Sequence, residues 1–123
     1  MKYDDSNIFA KILRGEIPCK KIYEDEFVLS FYDINPQKKV HALVIPKGKY
    51  TDLDDFSSKA SSEEMVGLLK GINTVAKELG ISSDTGKGYR ALANISEDGG
   101  QEGPHLHFHL FGGEKIGYIN GYR

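Results

Sequence analysis

Cysteine is almost missing from this chain. Cys19 stands alone among 123 residues, so no internal disulfide can form, and a reducing compartment is expected. Set in "IPCKK", it reads as a loop or strand-edge residue rather than a catalytic thiol. Long apolar runs are missing too. No segment approaches the ~18 consecutive apolar residues of a membrane span, and "MKYDDSNIFAKILRGEIPCKK" is charged throughout, without the apolar core of a signal peptide. The expectation is a cytoplasmic protein with no membrane partner. Nor does charge of one sign prevail: the formal net charge is −2, which gives no bulk attraction to polyanions and removes nucleic acid as the default partner. Internal repeats, low-complexity tracts and linkers do not interrupt the chain, so residues 1–123 are expected to form a single domain. At that length roughly two thirds of the unfolded chain's surface can be buried.

What is present has the composition of an ordinary soluble domain, with 28% charged and 39% hydrophobic residues. Ser6 is placed to cap a short helix in which Ile8, Phe9, Ile12 and Leu13 share one face, closed by Gly15. "KKIYEDEFVLSFYDINP" reads as two strands around a turn at Asp25-Glu26, and "KVHALVIP" as the next strand of an antiparallel meander, ended by Pro46. "SSEEMVGLLKGINTVAKELG" carries Met65, Leu68, Leu69, Ile72, Val75, Ala76 and Leu79 at helical spacing, with Ser61 and Glu64 as a capping box and Gly80 as terminator. "KGYRALANI" and "HLHFHLF" supply two more strands, separated by the loop "SEDGGQEGP". The sum is an α+β domain: an antiparallel sheet of about five strands, one long helix on a face of it, and a short N-terminal helix.

His105, His107 and His109 alternate in the last of these strands. On an extended strand they line one face, while Leu106, Phe108 and Leu110 line the other and enter the core. Such a row can be a metal cage, a pH-sensitive surface, or a nucleophile with its helpers. Geometry disfavours the first: the outer two Cα atoms lie ~13 Å apart, whereas an imidazole nitrogen must come within ~2 Å of zinc. Two of them with His41 from another strand would suit an ion better. As a nucleophile, neutral imidazole attacks from one nitrogen only if the other carries the proton. Backbone N–H groups of "GGQ" could then cradle phosphate oxygens. Phosphorus chemistry fits this arrangement best.

"HLHFHLF" matches the His-x-His-x-His-x-x pattern, with apolar residues at each x including Leu110 and Phe111, that names the histidine triad superfamily. "IFAKILRGEIP", "FYDINPQ", "HALVIPK", "GYRALAN" and "DGGQE" resemble segments of its Hint branch, in order and at similar separations, over roughly residues 7–113. The resemblance implies a HIT-like fold and a homodimer with two nucleotide sites. It also implies hydrolysis of purine nucleoside phosphoramidates, such as adenosine 5'-phosphoramidate, and of related acyl or aminoacyl adenylates, with no metal or other cofactor. By that likeness His107 attacks the α-phosphorus, His109 contacts the phosphate, and His105 sits at the edge of the site and helps orient its neighbours. Asn94 lies near phosphate and ribose, Asp33 binds the ribose hydroxyls, and His41 stands behind the triad. Gly100, Gln101 and Glu102 form the loop over the phosphate, and Ile8, Phe9, Ile12, Phe31 and Ile34 line the purine slot.

Plainer roles stand beside these: core packing for the apolar residues, a turn for Asp33, a satisfied interior histidine for His41. Two other functions stand open as well, a dinucleoside polyphosphate hydrolase like the Fhit branch and a nucleotide-binding or scaffold protein with vestigial catalysis. Three departures matter. Glu102 stands where many eukaryotic relatives have a serine thought to protonate the leaving amine, and in this it resembles bacterial Hint proteins. Gly103-Pro104 replaces a bulkier pair. The tail "EKIGYINGYR" does not resemble the family's common C-terminus.

Overall fold

Antiparallel pairing builds the molecule outward from its most β-branched segment. The structure, a computed structural model, describes residues 2–119, so the last four residues of the tail lie outside the described residues. After a short helix α1 (Ile8–Leu13), strands β1 (Lys21–Glu24), β2 (Val28–Tyr32) and β3 (Val40–Pro46) form the expected meander. Asp25 closes its first turn by accepting the backbone N–H groups of Phe27 and Val28 at 2.8 and 2.9 Å. Helices α2 (Leu53–Lys59) and α3 (Ser62–Glu78) follow, then β4 (Arg90–Ala93) and β5 (Phe108–Gly112). The last strand inserts between β3 and β4, giving one five-stranded sheet in the order β1-β2-β3-β5-β4. This is the α+β, HIT-like arrangement expected, with a second short helix added.

The two faces of the sheet have different tenants. Val28, Ala42, Val44 and Leu110 turn toward α3 and pack with Leu68, Ile72 and Val75. Gly71 lets that helix lie close, since a Cβ there would fall 2.8 Å from Val28 Cγ2. The capping box at Ser61 and Glu64 is formed, and Gly80, at φ +69°, ends the helix. On the opposite face Leu29, Phe31, Leu43 and Ile45 meet Phe9 from α1, with Ile12 and Leu13 packed alongside. Residues of β3 alternate between the two, and this alternation places His41 with Leu43 and Ile45, on the α1 side.

Three sequence expectations are corrected here. The cap of α1 is Asn7, whose Oδ1 accepts the Ala10 N–H at 2.9 Å; Ser6 instead bonds Asp4, one position too early to reach the helix. Helix α2 was not foreseen, because "LDDFSSK" offers only Leu53 and Phe56 as an apolar pair and is too short for periodicity; the Asp52 cap was its one signal. The third concerns the histidine strand. Only Phe108–Gly112 joins the ladder, and His105 to His107 run outside it.

Candidate active site

Because the chain enters β5 from an irregular segment, the three histidines do not share one environment. His105 and Leu106 are both buried, with exposures of 0% and 1%, because both faces are covered here: Leu106 packs into the core under α3 with Leu110, as the alternation predicts, and His105 lies on the α1 side near Phe9. The Leu106 N–H is drawn to the Tyr50 carbonyl at 2.8 Å, and the His105 ring is turned inward beneath Tyr3 and Phe9. His107 and His109 lie on the same α1 side with ring centroids 5.2 Å apart. Phe9 covers His107 at 4.5 Å, and Phe111 stacks parallel to His109. His105 therefore sits behind the site rather than at its edge.

Hydrogen bonds assign the proton on each ring. His107 Nδ1 lies 2.8 Å from the His105 carbonyl, an oxygen that only accepts. Nδ1 thus carries the proton, and Nε2, across the ring, keeps its lone pair. The Gln37 N–H points at His41 Nδ1 from 3.1 Å, so the His41 proton resides on Nε2, which donates to His109 Nδ1 at 2.9 Å. His109 must then present an N–H at Nε2. The site so holds one nucleophilic nitrogen beside one donor.

Burial keeps the rings neutral. It pushes the His105 imidazole down to about 4, against the Pro46 carbonyl that favours its charge. It does the same to His109, also to about 4, with His107 and His41 nearby adding to the effect. His107 and His41 are lowered by burial too, opposed at His107 first by the His105 carbonyl and then by Asp33, and at His41 by Asp33. A neutral His107 keeps its lone pair available at pH 7.

These rings open on a cleft of about 520 Å³, within the span of small-ligand sites, about 300–1,000 Å³. Of the residues expected in it, Ile8, Phe9, Asp33, His41, Asn94, Gly100, Glu102, His107 and His109 line its wall. Asn35, Gln37, Leu43 and Gly103 line it as well and were not foreseen; Leu43 was readable as the residue two positions from His41 on the same face. Phe31 and Ile12 belong to the core beneath α1, and Ile34 is 86% exposed, beyond the cleft. Gln101 is a strut: its amide nitrogen reaches the Thr51 and Gly103 carbonyls at 2.7 and 3.2 Å, and its oxygen takes the Ser96 N–H. The cradle expected from "GGQ" is not offered by Gly100 and Gln101, whose N–H groups close turns onto Glu97 and Ser96. Asp33 has the contacts of a turn residue, since Oδ1 accepts the Asn35 N–H, while Oδ2 lies 3.4 Å from His41 Nε2.

Among the described residues, Asp33, His41 and His109 form the group whose ligand atoms, within 4.8 Å of one another, could hold a metal ion. It contains one triad histidine rather than two. Its two imidazole nitrogens are 2.9 Å apart and share a proton, whereas tetrahedral zinc at ~2.0–2.1 Å from each would space them at about 3.3 Å. As folded, hydrogen bonding satisfies these groups.

Residues 14–116 match the family model described as the HIT domain. The chain belongs to the HIT family. A HIT-like protein of Azospirillum brasilense is 53% identical over 115 residues, 94% of this chain and 92% of that protein. The purine nucleoside phosphoramidase of Escherichia coli K12 is 39% identical over 114 residues, 92% of each, which sets the chain on the Hint-like side of the family. Among solved structures, a histidine triad protein from Clostridium difficile covers 97% of this chain and 99% of its own, at TM-score 0.79 and 41% identity. A HIT family hydrolase from Clostridium thermocellum covers 94% and 96%, at TM-score 0.83 and 36% identity. No helix among the described residues is long and apolar enough to cross a membrane.

Gly103 lies close against Phe9 on the wall of the cleft. This residue holds φ +84°, and a Cβ on it would lie 2.9 Å from Phe9 Cε2. Gly103→Ala is expected to cost about 1–2 kcal/mol in backbone strain and to push the Phe9 ring off His107. Thermal unfolding should show the loss; an unchanged melting temperature would contradict the strain.

Proposed function

We propose that this protein hydrolyses the P–N bond of purine nucleoside 5'-phosphoramidates, releasing the nucleoside monophosphate through a nucleotidyl-histidine on His107. One observation carries the reading: His107 Nδ1 is held by the His105 carbonyl at 2.8 Å, so its lone pair resides on Nε2, in a ring that lines the cleft. Nε2 attacks the α-phosphorus, a P–N bond to His107 forms, and the bond to the leaving amine breaks as the amine takes a proton from solvent. Water then displaces the nucleotide and restores the imidazole, so two easier displacements replace one. His109 Nε2–H is positioned to donate to a phosphate oxygen, with His41 holding its tautomer. Asn94 stands at the end of β4 beside the phosphate position. Asp33 accepts the ribose hydroxyls, and Ile8 with Phe9 forms the apolar wall for the base. The phosphoramidase of Escherichia coli at 39% identity supports the substrate class.

The reading also takes the protein as a cytoplasmic homodimer. What supports pairing is the outer edge of β4, which no strand covers among the described residues; light scattering at micromolar concentration tests it. Incubation with adenosine 5'-phosphoramidate in EDTA should release AMP. Faster turnover of diadenosine polyphosphates would overturn the substrate assignment, and AMP binding without turnover would overturn the activity. Asp33→Asn, which keeps a turn acceptor but loses the charge, is expected to raise KM roughly tenfold with a smaller change in kcat. An unchanged KM would remove Asp33 from the ribose.

A further inference from the structure

We propose that Tyr3 is a positioning residue of this site: its hydroxyl donates to Nδ1 of the buried His105, locking the residue whose backbone carbonyl holds the His107 ring. The kinetic consequence rests on the phosphoramidase reading; the contact itself does not. Tyr3 lies ahead of the residues that match the HIT domain, so this device comes from outside the motif it serves.

His105 has no exposure to solvent, and both ring nitrogens must find partners inside the protein. Nε2 lies 2.9 Å from the Pro46 carbonyl, an oxygen that can only accept, so Nε2 carries the proton. Nδ1 is then a bare lone pair, and the group facing it is the Tyr3 hydroxyl. The two rings meet edge to face, with centroids 5.6 Å apart at 71°. Tyr3 is therefore the donor, and the imidazole is pinned at both ends.

The pin matters because His105 lies outside β5. No ladder bond holds its carbonyl, yet that carbonyl fixes the His107 tautomer. What stops the peptide from turning is the anchored ring on one side and the Leu106 N–H to Tyr50 bond on the other.

The segment that delivers Tyr3 is itself strapped down. Asp4 accepts both the N–H and the hydroxyl of Ser6, and the Asn7 side chain donates back to the Asp4 carbonyl at 2.7 Å. The Asp5 carbonyl takes Arg14 Nη1 at 2.8 Å, while its carboxylate pairs with Lys49 at 2.8 Å. These bonds tie the segment to α1 and to the loop after β3.

Tyr3→Phe keeps the ring and removes the donor. Expected is a fall in kcat for adenosine 5'-phosphoramidate of roughly three- to tenfold, the size of one buried hydrogen bond, with KM within about twofold because no substrate contact is lost. In ¹⁵N spectra of histidine-labelled protein, the native His105 should show a protonated Nε2 and a hydrogen-bonded Nδ1. In the variant Nδ1 should move toward the free imine position, and the His107 nitrogens should drift toward a mixture of tautomers. A purely structural tyrosine would lower the melting temperature and leave kcat and the His107 nitrogens in place; either of those two unchanged overturns the proposal. Should the native protein leave the phosphoramidate intact, the phosphoramidase reading fails while the nitrogen shifts still decide the role of Tyr3.

Discussion

Replacing His107 with alanine is expected to lower turnover of adenosine 5'-phosphoramidate by roughly 10⁴-fold or more, while AMP still binds. The size follows from what is removed. Losing a donor weakens one contact, but losing the nucleophile abolishes the covalent route and leaves only direct attack by water. His109 cannot stand in, because its Nδ1 is engaged by His41 and its Nε2 carries a proton. His105 cannot either, since both of its nitrogens are committed in the interior. Binding should survive because Asp33, Ile8 and Asn94 line the cleft as well. The check is twofold: kcat and AMP affinity of His107→Ala in EDTA, and mass spectrometry of acid-sensitive adducts on the native protein quenched during turnover. A nucleotidyl adduct on any other side chain, or activity that survives the substitution, would refute the assignment of His107.

Most of the architecture was legible because it rests on patterns that a few residues carry. The apolar stripe and capping box of α3, the β-branched run of β3 and the Asp25 turn each state their conformation locally, and each forms as read. The alternating histidines were legible in part. All three rings keep to the α1 side as the alternation predicts, but His105 is fully buried, a depth decided by partners distant in sequence: Tyr3 and Pro46. No local pattern announces those contacts. The same holds for the loop over the cleft. Glycines in "DGGQE" suggested free N–H groups for a phosphate, but the loop spends those of Gly100 and Gln101 on its own turns, and Gln101 braces it against Thr51. The apolar residues assigned to the base separate on the same principle. Ile8 and Phe9 line the cleft, while Phe31 is buried against Phe9, a distinction of depth that hydropathy does not encode.

Burial of neutral imidazole also makes the fold sensitive to mild acid. Free of structure, His105 would protonate near 6.5; folded, it resists until about 4. Between those values the unfolded chain binds the extra proton, so stability is complete above about pH 6.5 and falls as pH drops toward 4. Going from pH 6.5 to 4.5, this one fully buried residue should remove about 2 kcal/mol. His109 has the same direction, but it faces the cleft, and solvent there reduces its share. Carboxylates do not blur the window, because those whose folded pKa is lowered, such as Asp25 and Asp55, lose their contribution only as pH falls through the carboxylate range near 4 and below. Urea unfolding at pH 7.0, 5.5 and 4.5 should therefore show a steady loss, with the steepest slope set by about one to two protons taken up on unfolding. Ring titration by NMR makes the assignment: a His105 midpoint near 6.5 would break the link between burial and stability. The same depression at His107 keeps its lone pair unprotonated below pH 6.5, so the acid limb of kcat/KM should fall below the pH at which an exposed histidine titrates.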